Sequence, residues 1–299
     1  MGGWRTLVVS SEAEVSIRLG NLHIRNADTA ITLPLEDLNT LLFDSPRGKV
    51  SFSVLASAAQ AGVATIVVDE KHLPCGVLLP YAQNSREPLL VNMQVETSEP
   101  FRKRVWQTIV EQKIRNSAAC LDLLSRKGGN TLRRIARTVA SGDSTGREAY
   151  AARVYFQHLG PGFKRRSDSS LSGALNYGYA ILRAILARSL AAAGFCCALG
   201  VGHRSKTNNF NLADDMVEAY RPFVDLLVFS NPPGDELDAD YRAYLLGVLH
   251  MECEMGKGTY TIATAADETA ASYARALSSR NYRLLSLPVL TANSRRTYE

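Results

Sequence analysis

The chain has 299 residues, 46% of them hydrophobic, and 34 lysines and arginines against 29 aspartates and glutamates, a net charge of +5. That apolar content supplies a real core and argues against a disordered chain, while the length accommodates one large domain or two ordinary ones. The five cysteines, Cys75, Cys120, Cys196, Cys197 and Cys253, contain no C-x-x-C pair, so they signal neither a disulfide framework nor a zinc knuckle and read as buried thiols in a reducing compartment.

The first residues, "MGGWRTLVVSSEAEVS", lack a basic segment followed by an apolar run and a small-residue cleavage site, so a cytoplasmic protein is expected. From Trp4 to about Tyr81, short β-branched runs such as "TLVV", "EVSIRL", "NLHIRN", "TAITLP" and "ATIVVD" alternate with turn residues. Gly20 and Asn21 between two such runs signal a hairpin, and one helix is predicted at "SFSVLASAAQAG" with Gly62 as its stop. Near residue 95 the pattern changes: Thr97 or Ser98 can cap a helix carrying Phe101, Val105, Ile109 and Val110 at helical spacing. Further helices are predicted at about 129 to 140, 145 to 158, 171 to 193, 211 to 221, 236 to 251 and 267 to 279. The apolar stretch "ALNYGYAILRAILARSLAAAG" contains Asn176, Arg183 and Arg188, which are costly at bilayer depth, so it reads as a core helix and no membrane span is expected. The expected fold is α+β, with a small β-rich N-terminal domain over residues 1–95 and a larger all-α domain over 96–299.

The densest chemistry lies in "GVGHRSKTNNFNLADDMVEAYRPFVD". If Asn211 caps a helix there, Asp215 and Glu218 share a face and can converge on one ion, while Asp214 is rotated away by about 100° and reads as a complement to the helix dipole. His203, in a glycine-flanked loop, would alone be an ordinary exposed side chain. Beside an acidic helix it supplies the nitrogen of a mixed nitrogen and oxygen site, which suits Mn2+ or Mg2+ better than structural zinc. Glu148 in "STGREAYAARVYF" is a candidate third ligand, but Thr145 and Glu148 match a T-x-x-E capping box, and spacing alone favours the cap. Basic residues surround these elements: Lys164, Arg165 and Arg166 in one loop, Arg204 and Lys206 beside the histidine. Cations around carboxylate ligands suit a phosphodiester substrate. His23 reads as a surface or interface residue, and Tyr177 and Tyr179 as core packing.

The segments "GREAYAARVYF", "ALNYGYAILRAILAR" and "GVGHRSKTNNFNLADDMVEAYRPFVD", with the β-rich start and its "LPLEDLNTLLFD", resemble the family of CRISPR-associated protein one, the integrase of CRISPR adaptation, in the short form found beside type II systems. Two departures stand out, Ser172 in place of asparagine and "EAYRP" in place of "EPFRP", neither at a candidate ligand. The resemblance implies that Glu148, His203 and Glu218 bind one Mn2+ or Mg2+, with Asp215 helping either directly or from behind, which turns Glu148 from a cap into a ligand. It also implies a homodimer through the β-rich domain, with two dimers bridged by a dimer of the small CRISPR-associated protein two. The substrates implied are a double-stranded DNA prespacer and CRISPR repeat DNA, joined by 3′-hydroxyl attack on a phosphodiester, with Lys164, Arg165, Arg166, Arg204 and Lys206 along the DNA. The RNA-guided nuclease of the same locus is a further candidate partner. With water as nucleophile, the same site gives a nuclease of single-stranded or branched DNA. A non-catalytic DNA-binding scaffold, whose acids only cap helices, is the alternative from another class.

Overall fold

The β-branched runs of the first eighty or so residues become strands, and the patterned segments after them become helices, as the sequence leads one to expect. The structure, a computed structural model, describes residues 5–27, 29–70, 72, 74–78, 87–160, 162 and 169–295. It divides into two units, Met1–Arg86 and Glu87–Glu299.

The first unit contains β1 (Arg5–Val9), β2 (Glu14–Arg18), β3 (Asn21–Arg25), β4 (Ala30–Pro34), β5 (Leu38–Phe43), β6 (Lys49–Val50), α1 (Phe52–Gln60), β7 (Ala64–Val68) and β8 (Pro74–Leu78). They form two four-stranded sheets, ordered β4-β3-β2-β6 and β1-β5-β7-β8. In the second, β1 and β5 pair parallel, as do β5 and β7. The β2–β3 hairpin closes through Leu19 and Gly20, both at positive φ (49° and 76°), one residue earlier than the Gly20–Asn21 expectation. Inward-facing Val15, Leu22, Ile24 and Leu41 pack with Val54 and Ala58 of α1. His23 stands on the opposite face, hydrogen-bonded through Nδ1 to the Thr32 hydroxyl at 2.9 Å.

The second unit contains α2 (Glu87–Glu96), α3 (Glu99–Leu123), α4 (Gly129–Ala136), α5 (Arg147–Leu159), α6 (Ser170–Ala193), α7 (Asn211–Val217), α8 (Arg221–Ser230), α9 (Ala239–Leu246), β9 (Glu252–Met255), β10 (Gly258–Thr261) and α10 (Ile262–Ser278). The division falls ahead of residue 95 because α2 belongs here: Gln94 accepts from the Cys196 amide and donates to the carbonyls of Cys196 and Leu199. The expected all-α unit also carries an antiparallel hairpin, β9 with β10, whose turn uses Gly256 at φ 60°. The segment expected as one helix from 211 to 221 is α7, and α8 starts anew at Arg221. Pro222 sits in the first turn of α8, where its missing N–H costs nothing.

α6 is a core helix, with Leu175, Tyr177, Ile181, Leu182, Ile185 and Leu186 buried. Gly178 lets α8 approach closely, since a Cβ there would stand 2.5 Å from Val224 Cγ1. The charges within it are paired: Arg183 with Asp214 at 2.6 Å and Arg188 with Asp267 at 2.5 Å. Among the described residues no helix is long and apolar enough to cross a membrane. Cys120 and Cys253 are buried, but Cys75 is exposed, which corrects the reading of all five as buried.

Candidate metal and phosphodiester site

The histidine loop is built around Asp215. Its carboxylate is fully buried and accepts from the backbone N–H groups of Val201 (2.6 Å), Gly202 (3.1 Å) and His203 (2.8 Å). It also takes the His203 ring N–H at Nδ1, 2.8 Å away. Such a tight wrap requires glycine at both ends of "GVG". A Cβ on Gly200 would run into the His203 carbonyl oxygen and stand 2.8 Å from Asp215 Oδ2, and one on Gly202 would enter the Trp106 ring. Trp106 of α3 meets the imidazole edge-on, with ring centroids 5.6 Å apart. Asn211 does not cap α7. It is the helix's first residue and stitches the loop instead, donating to the carbonyls of Ala198, Ser205 and Asn208. The hydrogen bond to Asp215 outweighs burial and raises the His203 pKa above the imidazole norm. With Nδ1 committed to a carboxylate, Nε2 is the ring nitrogen left to act as a ligand.

The second half of the site comes from α5 and the end of α7. Asp143 caps α5 by accepting from the Arg147 and Glu148 amides at 2.7 and 3.0 Å, so the Thr145–Glu148 capping box does not form and the Glu148 side chain is released for other work. Its Oε1 lies 2.6 Å from Nζ of Lys113, on α3, and Glu218 Oε2 lies 2.5 Å from the same ammonium. Glu218 Oε1 pairs with Arg221 at 2.9 Å. Burial works against the Lys113 charge, yet the two carboxylates outweigh it and raise its pKa. Burial likewise pushes the Glu218 carboxyl up, but Lys113 and Arg221 prevail and hold it below the usual range. A cavity of about 120 Å³ beside them is lined by Lys113, Glu148, Tyr155, Tyr179, Arg221 and Asp225. Tyr177 and Tyr179 are buried, as expected of core residues, and Tyr155 is buried as well; Tyr155 and Tyr179 both donate to Asp225.

Glu148 and Glu218 are therefore brought together, with His203 close enough that its charge lowers the Glu218 pKa. Asp215 and Glu218 do not converge: Asp215 is fully occupied by the histidine loop. Asp214 lies in the first turn of α7, as expected, and is also held there by Arg183 and Asn208. Among the described residues, no three histidine, cysteine, aspartate or glutamate side chains are arranged to hold a metal ion. What stands between the two carboxylates is the ammonium of Lys113, a residue the sequence reading missed. The donors nevertheless suit a divalent cation. Two carboxylates and one imidazole are the hard and borderline ligands that Mn2+ or Mg2+ takes, and buried Glu218 Oε2 receives no well-directed hydrogen bond. Arg204 and Lys206 line a cleft of about 450 Å³ together with His203 and Arg102. Lys164, Arg165 and Arg166 lie outside the described residues.

Comparison with known proteins supplies the family. The family model described as CRISPR associated protein Cas1 matches residues 6–244. The chain is 35% identical over 302 residues to a CRISPR-associated endonuclease Cas1 of Neisseria meningitidis serogroup C (strain 8013), covering 99% of each. Among solved structures, a casposase bound to integration product superposes with a TM-score of 0.74 at 17% identity, over 99% of this chain and 95% of that one. A Cas6-RT-Cas1–Cas2 complex gives 0.71 at 19% identity, over 94% of this chain and 36% of the larger one. The full-length match at this identity, together with the family model, makes this chain a member of the Cas1 family.

Proposed function

We propose that the protein is a divalent-metal-dependent enzyme of CRISPR adaptation that joins the 3′-hydroxyl end of a captured DNA duplex to repeat DNA. The observation that carries this reading is the meeting of Glu148 and Glu218, from separate helices, on one largely buried cation, beside a histidine whose Nδ1–H is anchored on Asp215. Glu148, Glu218 and Nε2 of His203 would hold Mn2+ or Mg2+, which when bound polarises a phosphodiester oxygen and stabilises developing charge. Asp215 keeps the imidazole in one tautomer and orientation. Arg102, Arg204 and Lys206 give the adjoining cleft a cationic wall on which a phosphate backbone can lie, and the positive charges of Lys164, Arg165 and Arg166 are assigned to the same DNA on their sequence alone.

The strand-joining reading is supported by the fold shared with a casposase bound to integration product. A Cas6-RT-Cas1–Cas2 complex with the same fold supports the small CRISPR-associated protein two as a partner; in this reading a dimer of it bridges homodimers formed through the β-rich unit. The endonuclease name of the Neisseria relative favours a second reading of the same site, in which water replaces the 3′-hydroxyl and DNA is cut. A strand-transfer assay separates the two: a duplex with free 3′-hydroxyls is offered with a repeat-bearing plasmid in Mn2+. Joined products in the wild type that fall to background in Glu148→Ala bear the proposal out. Cut plasmid without joined product favours the nuclease, and undiminished joining by the variant ends the assignment of the site.

A further inference from the structure

We propose that Lys113 is the internal counter-ion of the site. Its ammonium holds Glu148 and Glu218 together and gives way when a divalent cation takes those carboxylates, so Lys113 sets how tightly the cation is held. This rests on the metal-binding reading given above, and the experiment below separates the two.

Lys113 follows Ile109 and Val110 and precedes Ile114 on α3, all three buried, so its stem runs through core and its side chain is only 19% exposed. The ammonium reaches a carboxylate on each of two elements, α5 and the end of α7. Without a cation between them, two carboxylates sharing a largely buried space repel one another. Each Glu218 oxygen already faces a cation, Oε1 the Arg221 guanidinium at 2.9 Å and Oε2 the Lys113 ammonium at 2.5 Å. A divalent cation approaching Glu218 is repelled by both of them, and the repulsion falls when one of them moves away.

The two cations differ in how firmly they are held. Arg221 opens α8 three residues after Glu218, and its guanidinium lies over the Tyr179 ring with 4.9 Å to the centroid. Lys113 ends a flexible four-carbon stem and presents a compact charge that can swing aside. The lysine is therefore the group that yields. A tethered cation competing for the same oxygens must weaken metal binding by the factor by which metal binding weakens its own contacts.

The test uses the full chain, stripped of metal, with Mn2+ alone as the probe, its affinity read by calorimetry or by electron paramagnetic resonance. Lys113→Met keeps the length of the side chain and removes the charge. The expected result is about tenfold tighter Mn2+ binding, with a lower Tm than wild type in chelator and a smaller gap in saturating Mn2+. Lys113→Arg keeps the charge in a rigid fork that pairs better with carboxylates, so it folds and binds Mn2+ several-fold more weakly. Mn2+ affinity in Lys113→Arg equal to wild type, or in folded Lys113→Met no tighter than wild type, overturns the proposal. A Glu148→Ala, His203→Ala, Glu218→Ala triple variant is the control. If it binds Mn2+ as well as wild type does, the metal reading itself falls, and the lysine proposal with it. If it loses binding while the lysine variants match wild type, only the lysine proposal falls.

Discussion

His203 is held by a network anchored on one buried aspartate, which takes three backbone amides and the ring itself within 3.1 Å, under a tryptophan edge. Glu148 and Glu218 are held by a single lysine side chain that reaches both. The first half is fixed by groups that belong to the loop and have nowhere else to go. The second is held by a charge that any other cation could replace. The imidazole is thus placed before a ligand arrives, whereas the carboxylates are kept from repelling each other until one does.

The largest effect expected from attacking this difference is in the fixed half. Asp215→Ala leaves three backbone N–H groups and an imidazole without their buried acceptor, and should cost roughly 4 kcal/mol in urea unfolding, with or without Mn2+. A loss that Mn2+ restores would show that the loop is no more permanent than the carboxylate pair. Gly200→Ala comes next: its Cβ would press on the His203 carbonyl and stand 2.8 Å from Asp215 Oδ2, an overpacking that should cost about 2 kcal/mol. It should also lower strand transfer by moving the imidazole; wild-type stability and rate would mean that the loop has slack.

The smallest effect is in pH. His203 gains its raised pKa chiefly from the Asp215 hydrogen bond, so its folded value lies above the ~6.5 of a free imidazole. The stability contributed by the pair is then complete below ~6.5 and is lost as pH rises through the folded value. Unfolding of the chelated protein measured across that window should show this decline, and His203→Gln should remove it. A stability that instead rises with pH by the same residue would reverse the assignment of the charged ring.

Local elements were legible because their signals are local. The alternation in "EVSIRL" and "NLHIRN" gave the hairpin, and the spacing of Val105, Ile109 and Val110 gave α3. The parallel pairing of β1, β5 and β7 was not legible, since it joins residues far apart in the chain. α8 went unseen because Arg221-Pro222 reads as a stop when Pro222 in fact lies in a first turn. At the site, the sequence marks Glu148, His203 and Glu218 as candidates, Glu148 only through the family resemblance, and it does not reveal which contacts each of them makes. Asp215 looks like one more acid until its amides are seen, and Asp143 outcompetes a capping box that the sequence spells out. Lys113 left one trace: it stands four residues after buried Ile109 and just before buried Ile114, a lone charge on a core-facing stripe. Its meaning depends on two carboxylates that only the fold brings near.

One rod of backbone, α3, supports both halves at once, with Trp106 against the imidazole and Lys113 between the carboxylates. Seven residues make just under two turns, so the two supports emerge in phase on the same side. One residue inserted between them would swing one support about 100° around the rod and leave its half of the site without backing. The spacing acts as a ruler, and drift in the number of residues between 106 and 113 is less tolerable than drift in the identity of most of them.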